Sequence, residues 1–233
     1  MWMESTVEPV IKKMDRMGVD RIISSPLIGI AYDGIAGNKE VIDIYEKSGG
    51  RILGYSTCNV NYEDNIDTVC EFMENNPEKF VGVKPYPPLL GYRFSDERCE
   101  KWYEYANKHH LCALIHGGNE DTVSQVDMLA AKYPDITFIV AHCGASYDVA
   151  RRTIELAKKY KNVMLDITYT STSRGMVEVL ANGAGADRVL YASDLPMRDP
   201  SPQLGWVCFA RLSVEDKKKI LSENITRVMS RKK

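Results

Sequence analysis

Short apolar runs rich in Ile, Val, Leu and Tyr recur along this chain, each followed by a longer segment of helical period, and the alternation continues to its end. The runs are DRIISS (20–25), RILGYST (51–57), FVGVKPY (80–86), LCALIHG (111–117), ITFIVAHCG (136–144), VMLDIT (163–168) and RVLYASD (188–194). None alternates strictly with polar residues, which is the pattern of parallel strands covered on both faces. Between them lie amphipathic stripes at i, i+3, i+4 and i+7: Val7, Val10, Ile11 and Met14; Ile66, Val69, Cys70 and Met73; Val126, Leu129, Ala130 and Tyr133. Ser213 and Asp216 have capping-box spacing, so the last helix is expected to start near Val214.

Strands alternating with such helices imply βα units and a parallel sheet. No G-x-G-x-x-G follows the first strand, the repeat is even, and polar residues recur at many strand ends, so a closed barrel is favoured over an open doubly wound sheet. The expected fold is α/β, a (β/α)8 TIM-barrel-like single domain over residues 1–233. Seven units are visible and strand one is missing, because the chain opens on a helix and MWMES is too short to supply a strand and its loop. Either the gene product extends upstream of Met1, or the barrel is open, swapped or completed by a partner. Homo-oligomerisation is expected, since DRIISS and RVLYASD would flank an unfilled gap and expose unpaired backbone.

Composition narrows the partners. The 233 residues are 44% hydrophobic and 27% charged, with a net charge of -2, which argues against a dedicated nucleic-acid surface. No apolar run approaches the roughly 18 residues of a membrane span. Six cysteines without C-x-x-C spacing, and no export signal, point to reduced thiols in the cytoplasm.

Chemistry-bearing residues cluster at the strand ends: Ser25, Thr57, Lys84, His116, His142, Asp166 and Asp194. His142 follows His116 by 26 residues and Asp194 follows His142 by 52, one and two βα units, so in a barrel the three converge on one mouth. Imidazole nitrogen and carboxylate oxygen are ligands for zinc, manganese or iron, and such a metal makes hydroxide available near neutral pH. Each residue alone has an ordinary explanation: a hydrogen-bonded loop histidine, a turn-forming Asp194 in SDLP, glycine-driven turns in HGG and HCG. Three together at βα spacing do not.

The segments ALIHGG, FIVAHCG, VLYASDLP and LSVEDKKKILSENITRVM resemble the amidohydrolase superfamily, in the branch of metal-dependent TIM-barrel hydrolases that includes aminocarboxymuconate-semialdehyde decarboxylase. The resemblance runs from the first helix to the last. It implies His116 as the fifth-strand metal ligand, Asp194 as the eighth-strand carboxylate that touches metal and water, and His142 as the histidine that orients or deprotonates the water. It further implies a single divalent metal, zinc first and manganese or iron as alternatives. Substrates would be small amides, lactones or carboxylates, cleaved by hydrolysis or nonoxidative decarboxylation.

The family takes two further ligands from an H-x-H on strand one, and this sequence contains no H-x-H. His109 and His110 end a helix and belong on the opposite face of the barrel. Lys84 has two readings, a substrate-carboxylate partner or a carbamylated metal bridge of the kind some superfamily members use. Tyr86, Thr168, Tyr169 and Arg198 lie just beyond strand ends, and Tyr86 and Arg198 are assigned with Lys84 to substrate binding. The rival to an enzyme is a noncatalytic barrel remnant that binds a small molecule or a partner subunit.

Overall fold

The computed structural model describes residues 6–62, 65–117, 119–168 and 175–232. All seven predicted strands form: β1 (Ile22–Ser24), β2 (Ile52–Ser56), β3 (Phe80–Val83), β4 (Cys112–Ile115), β5 (Thr137–Val140), β6 (Val163–Asp166) and β7 (Val189–Leu190). They pair in parallel, in chain order, as one curled, TIM-barrel-like sheet. Each ladder is shorter than its apolar run. The polar tails, Lys84, His116 and His142 among them, lie beyond the last paired residue and are therefore free to line the mouth.

Helix α1 (Val7–Met17) precedes β1, and the helices between strands are α2 (Leu27–Ala31), α3 (Gly34–Lys47), α4 (Asn65–Asn75), α5 (Pro87–Leu90), α6 (Glu100–Lys108), α7 (Glu120–Lys132), α8 (Tyr147–Lys159) and α9 (Met176–Ala184). After β7 come α10 (Ser201–Cys208), α11 (Val214–Lys218) and α12 (Asn224–Met229), with a π-helical turn (Lys219–Glu223) joining the last two. Side-chain oxygens start several of them: Asn119, Ser146 and Ser213 accept from the backbone N–H groups of Thr122, Val149 and Asp216. Each such cap contributes about 1 kcal/mol. The last helix begins at Val214 as expected, with only the serine half of the capping box, because Asp216 pairs with Lys219 instead.

Strand residues divide between two layers, as period two requires. Val163, Leu165, Phe138, Val140 and Ile115 face the helices and pack with Trp102, Val126, Leu129 and Leu180. Tyr55, Val81, Cys112, Ile139, Met164 and Leu190 form a second cluster, against which Val228 of α12 packs. Full burial of a side chain such as Phe138 or Leu165 stabilises the fold by about 1.5–3 kcal/mol.

Among the described residues β1 and β7 do not pair, and a seam lies between them. Helix α1 bridges it: Val10 and Met14 pack with Ile52 and reach Leu195 beyond β7, and Lys13 Nζ meets Asp199 at 2.9 Å and Ser201 Oγ at 3.0 Å. The expectation that both seam strands expose unpaired backbone is corrected for β7. Tyr191 N–H donates to the carbonyl of Ile220 in the π turn at 2.9 Å, and Asn224 Nδ2 donates to the Val189 carbonyl at 2.8 Å. The C-terminal segment thus satisfies the outward groups of β7, while Ile23 in β1 has no such partner among the described residues.

Candidate active site

His116 and His142 sit side by side because β4 and β5 end unusually close together. A β-carbon on Gly117 would lie 2.0 Å from the Ala141 carbonyl oxygen, so only glycine lets the two ends approach this far. The imidazoles meet edge to face with centroids 4.6 Å apart, and His116 Nδ1 is 3.2 Å from His142 Nε2. The unusual backbone angle in HCG belongs to the histidine and not to the glycine: His142 has φ +62°, as does Asp194. A left-handed residue with a β-carbon costs about 1–2 kcal/mol and is held only where its surroundings dictate it, a feature concentrated at functional sites.

Hydrogen-bond chemistry fixes the tautomers. His142 Nδ1 lies 3.1 Å from the Thr168 carbonyl, which can only accept, so Nδ1 carries the proton and Nε2 of the neutral ring is bare. His116 Nδ1–H then donates to that bare nitrogen, which leaves the lone pair of His116 Nε2 with no partner among the described residues. Burial, with the nearby His142 and Lys84, pushes the His116 pKa down to about 4, which keeps this ring neutral at physiological pH.

Lys84 is buried beneath the pair, with its ammonium 5.7 Å from the centroid of the Tyr86 ring. Tyr86 in turn meets His116 edge-on at 5.1 Å. Burial lowers the Lys84 pKa to about 8 against the opposing pull of the Asp166 and Asp194 carboxylates, so the group is cationic at neutral pH and loses its charge in mild alkali. Burial, and secondarily the charge of Asp194, raises the Tyr86 phenol. Asp194 is therefore within electrostatic reach of both Lys84 and Tyr86. It is solvent-exposed and starts a turn in which Arg198 N–H donates to its carbonyl at 3.0 Å. Arg198 is also exposed, at the rim of this turn.

Other strand-end residues serve the scaffold. Thr57 is tied to α3, its N–H donating to Asn38 Oδ1 and its hydroxyl to the Gly34 carbonyl. The Ser25 hydroxyl is buried without a partner among the described residues. His110 faces Asp135 at 3.4 Å before β4 begins, and His109 stacks on Tyr105, so both lie at the N-terminal ends of the strands as expected. Tyr169 falls outside the described residues. Asp166, like Ser25 and Thr57, is given no role from sequence, yet it is tied to the histidine pair. Its buried carboxylate accepts from the N–H groups of His142 at 3.1 Å and Thr168 at 2.9 Å; the only signal was an acid ending an apolar run.

A catalytic zinc takes three protein ligands. Among the described residues no three His, Cys, Asp or Glu side chains are disposed to hold a metal ion, and the facing nitrogens of the two imidazoles are directed at each other. His116 and Asp194 are thus short of a complete metal centre.

A family model described as amidohydrolase, Amidohydro_2, matches residues 56–230. The chain belongs to this amidohydrolase family. Solved structures agree on the fold of the chain. A 2,6-dihydroxybenzoate decarboxylase from Rhizobium superposes with a TM-score of 0.72 at 14% identity, covering 94% of this chain and 87% of its own. An uncharacterized TIM-barrel protein from Bordetella bronchiseptica gives 0.76 at 16% identity, with 97% and 83% covered. A 5-carboxyvanillate decarboxylase from Novosphingobium aromaticivorans, complexed with manganese and 4-hydroxy-3-methoxy-5-nitrobenzoic acid, gives 0.73 at 16% identity, with 96% and 80% covered. No curated protein sequence matches this chain. None of its described helices is long and apolar enough to cross a membrane.

Proposed function

We propose that this amidohydrolase-family chain is a nonoxidative decarboxylase of small hydroxylated aromatic carboxylates. The observation that carries the reading is the open nitrogen of His116 set beside a buried ammonium, Lys84, and an aromatic ring, Tyr86. A buried cation in a site otherwise rich in carboxylates suits a substrate that brings an anion of its own. The structural neighbours that act on dihydroxybenzoate and carboxyvanillate support the same class.

In this reading Lys84 pairs with the substrate carboxylate, the ring lies against Tyr86, and Arg198 borders the mouth. His116 Nε2 accepts the proton of a ring hydroxyl, with His142 behind it, and electron density moves into the ring. The solvent-exposed Asp194 takes a proton from water and passes it to the ring carbon as the bond to the carboxylate breaks and carbon dioxide leaves, and His116 returns its proton to the ring oxygen. The net change is loss of carbon dioxide and gain of one proton at the vacated carbon.

Three of the similar solved structures hold manganese, and a divalent ion at His116 and Asp194, whether zinc, manganese or iron, belongs to the proposal as a dependence to be measured. Because the described donors fall short of a full set, the steps above rest on side chains alone. Hydrolysis of an amide or lactone is the rival chemistry. The free thiols at all six cysteines suit a cytoplasmic site of action, and the edge of β1, unpartnered among the described residues, suits a homo-oligomer.

The test is to incubate purified protein with 2,6-dihydroxybenzoate, 5-carboxyvanillate, benzoate and a simple lactone in D2O, with and without Mn2+ or Zn2+. Release of carbon dioxide from a hydroxylated acid, with one deuterium at the vacated carbon, is expected. Lactone cleavage without decarboxylation, or no turnover under any metal condition, overturns it. Elemental analysis of the parent and of His116→Ala reads the metal independently.

A further inference from the structure

We infer that Asp166 is a positioning residue that sets the proton pattern of the two histidines, so that His116 offers a bare Nε2 to the mouth. Asp166 closes β6, next to the end of β5, and is almost fully buried. One oxygen of its carboxylate accepts from two backbone N–H groups, those of His142 and Thr168, and its own carbonyl accepts from Cys143 N–H at 3.1 Å. Residues 142, 143 and 168 are thereby tied to one side chain and one peptide group.

The consequence for the rings is geometric. The tie to His142 N–H holds this residue at φ +62°, a backbone conformation that seldom persists without support. The tie to Thr168 N–H fixes the next peptide group, whose carbonyl takes His142 Nδ1–H. With that proton fixed on Nδ1, His142 Nε2 must accept, and His116 Nδ1 must donate to it. The pattern runs outward from Thr168 through His142 to His116, and Asp166 is its anchor through the backbone N–H groups of His142 and Thr168.

The functional weight of this pattern rests on the reading that His116 accepts a proton from substrate, but the pattern itself exists in the resting protein. Free imidazole favours the opposite tautomer, so the sign of the effect is unambiguous.

The experiment is nitrogen-15 NMR of ring-labelled protein at pH 8, where the tautomer of each neutral ring is read from its two nitrogen shifts, assigned with His116→Gln and His142→Gln. In the parent, both rings are expected in the Nδ1–H form by roughly tenfold or more, since each is held by a half-buried hydrogen bond. Asp166→Asn, whose amide oxygen can still accept both N–H groups, keeps that form. Asp166→Ala, which removes the tie, shifts His142 to a mixture containing the Nε2–H form. An Nε2–H tautomer for either ring in the parent overturns the inference whether or not the variants fold, and so does an Asp166→Ala protein that is folded with both tautomers unchanged. Neither result depends on turnover, so failure of the decarboxylase reading is separable from failure of this one.

Discussion

Gly117 and the Ala141 carbonyl approach so closely that a β-carbon on the glycine would lie 2.0 Å from the oxygen. The contact sets the separation of the ends of β4 and β5, and therefore of His116 and His142. Gly117→Ala must push backbone against backbone, since no flexible side chain can yield. We expect a loss of about 1–3 kcal/mol in stability, as for overpacking elsewhere, together with at least a tenfold fall in decarboxylation. Denaturant unfolding and initial rates check both.

Positive φ at His142 separates backbone strain from side-chain chemistry. His142→Gly relieves the strain, and His142→Ala does not. The glycine variant should be the more stable of the two by about 1 kcal/mol, while both lack the imidazole and lose activity alike. Paired urea titrations compare them.

Burial lowers the pKa of His116 to about 4 from an ordinary value of 6.5. The unfolded chain then binds the proton more readily than the folded one, so the stability linked to this group is complete above pH 6.5 and is lost as pH falls towards 4. His116→Gln should flatten that part of the pH–stability curve. Unfolding midpoints at half-unit steps between pH 4 and 7 measure the difference, and parallel curves for parent and variant would contradict it.

Lys84 is the cation proposed to pair with the substrate carboxylate, and its pKa is lowered to about 8 by burial. Above that pH the ammonium is lost, so KM for an aromatic carboxylate should rise through pH 8 to 9. In Lys84→Met, KM should be high at every pH, at least tenfold above the parent at neutrality. A KM independent of pH in the parent would remove Lys84 from that role.

Asn224 is fully buried, and its Nδ2 donates to the carbonyls of Ala186 and Val189, both at 2.8 Å. Replacing it with alanine strands two acceptors at the start of β7, at a cost of about 2–5 kcal/mol. Thermal unfolding should fall accordingly. Amide exchange at Tyr191, bonded to Ile220 in the adjoining π turn, should accelerate.

Apolar runs and helical stripes sufficed to locate every strand and the first helix, because burial on two faces writes itself into local composition. Ser213 likewise announced the helix starting at Val214, since a cap acts within one turn. Asp166 was legible as an acid at a strand end, but its bond to His142 N–H spans 24 residues and exists only once β5 and β6 are neighbours. The same holds for Gly117, whose meaning lies in a carbonyl on the next strand, and for Asn224, which reads as an ordinary helix residue until β7 lies against it. Helices α2 and α5 were not foreseen, being too short for a periodic signal.

The unlike treatment of the two seam strands has a bearing on how such molecules could join. Among the described residues, a newcomer seeking main-chain partners finds them along Ile23, because the opposite border is already occupied from within the same molecule. Strand addition at this seam is accordingly one-sided among the described residues: a second edge can pair with β1, while β7 is closed from within.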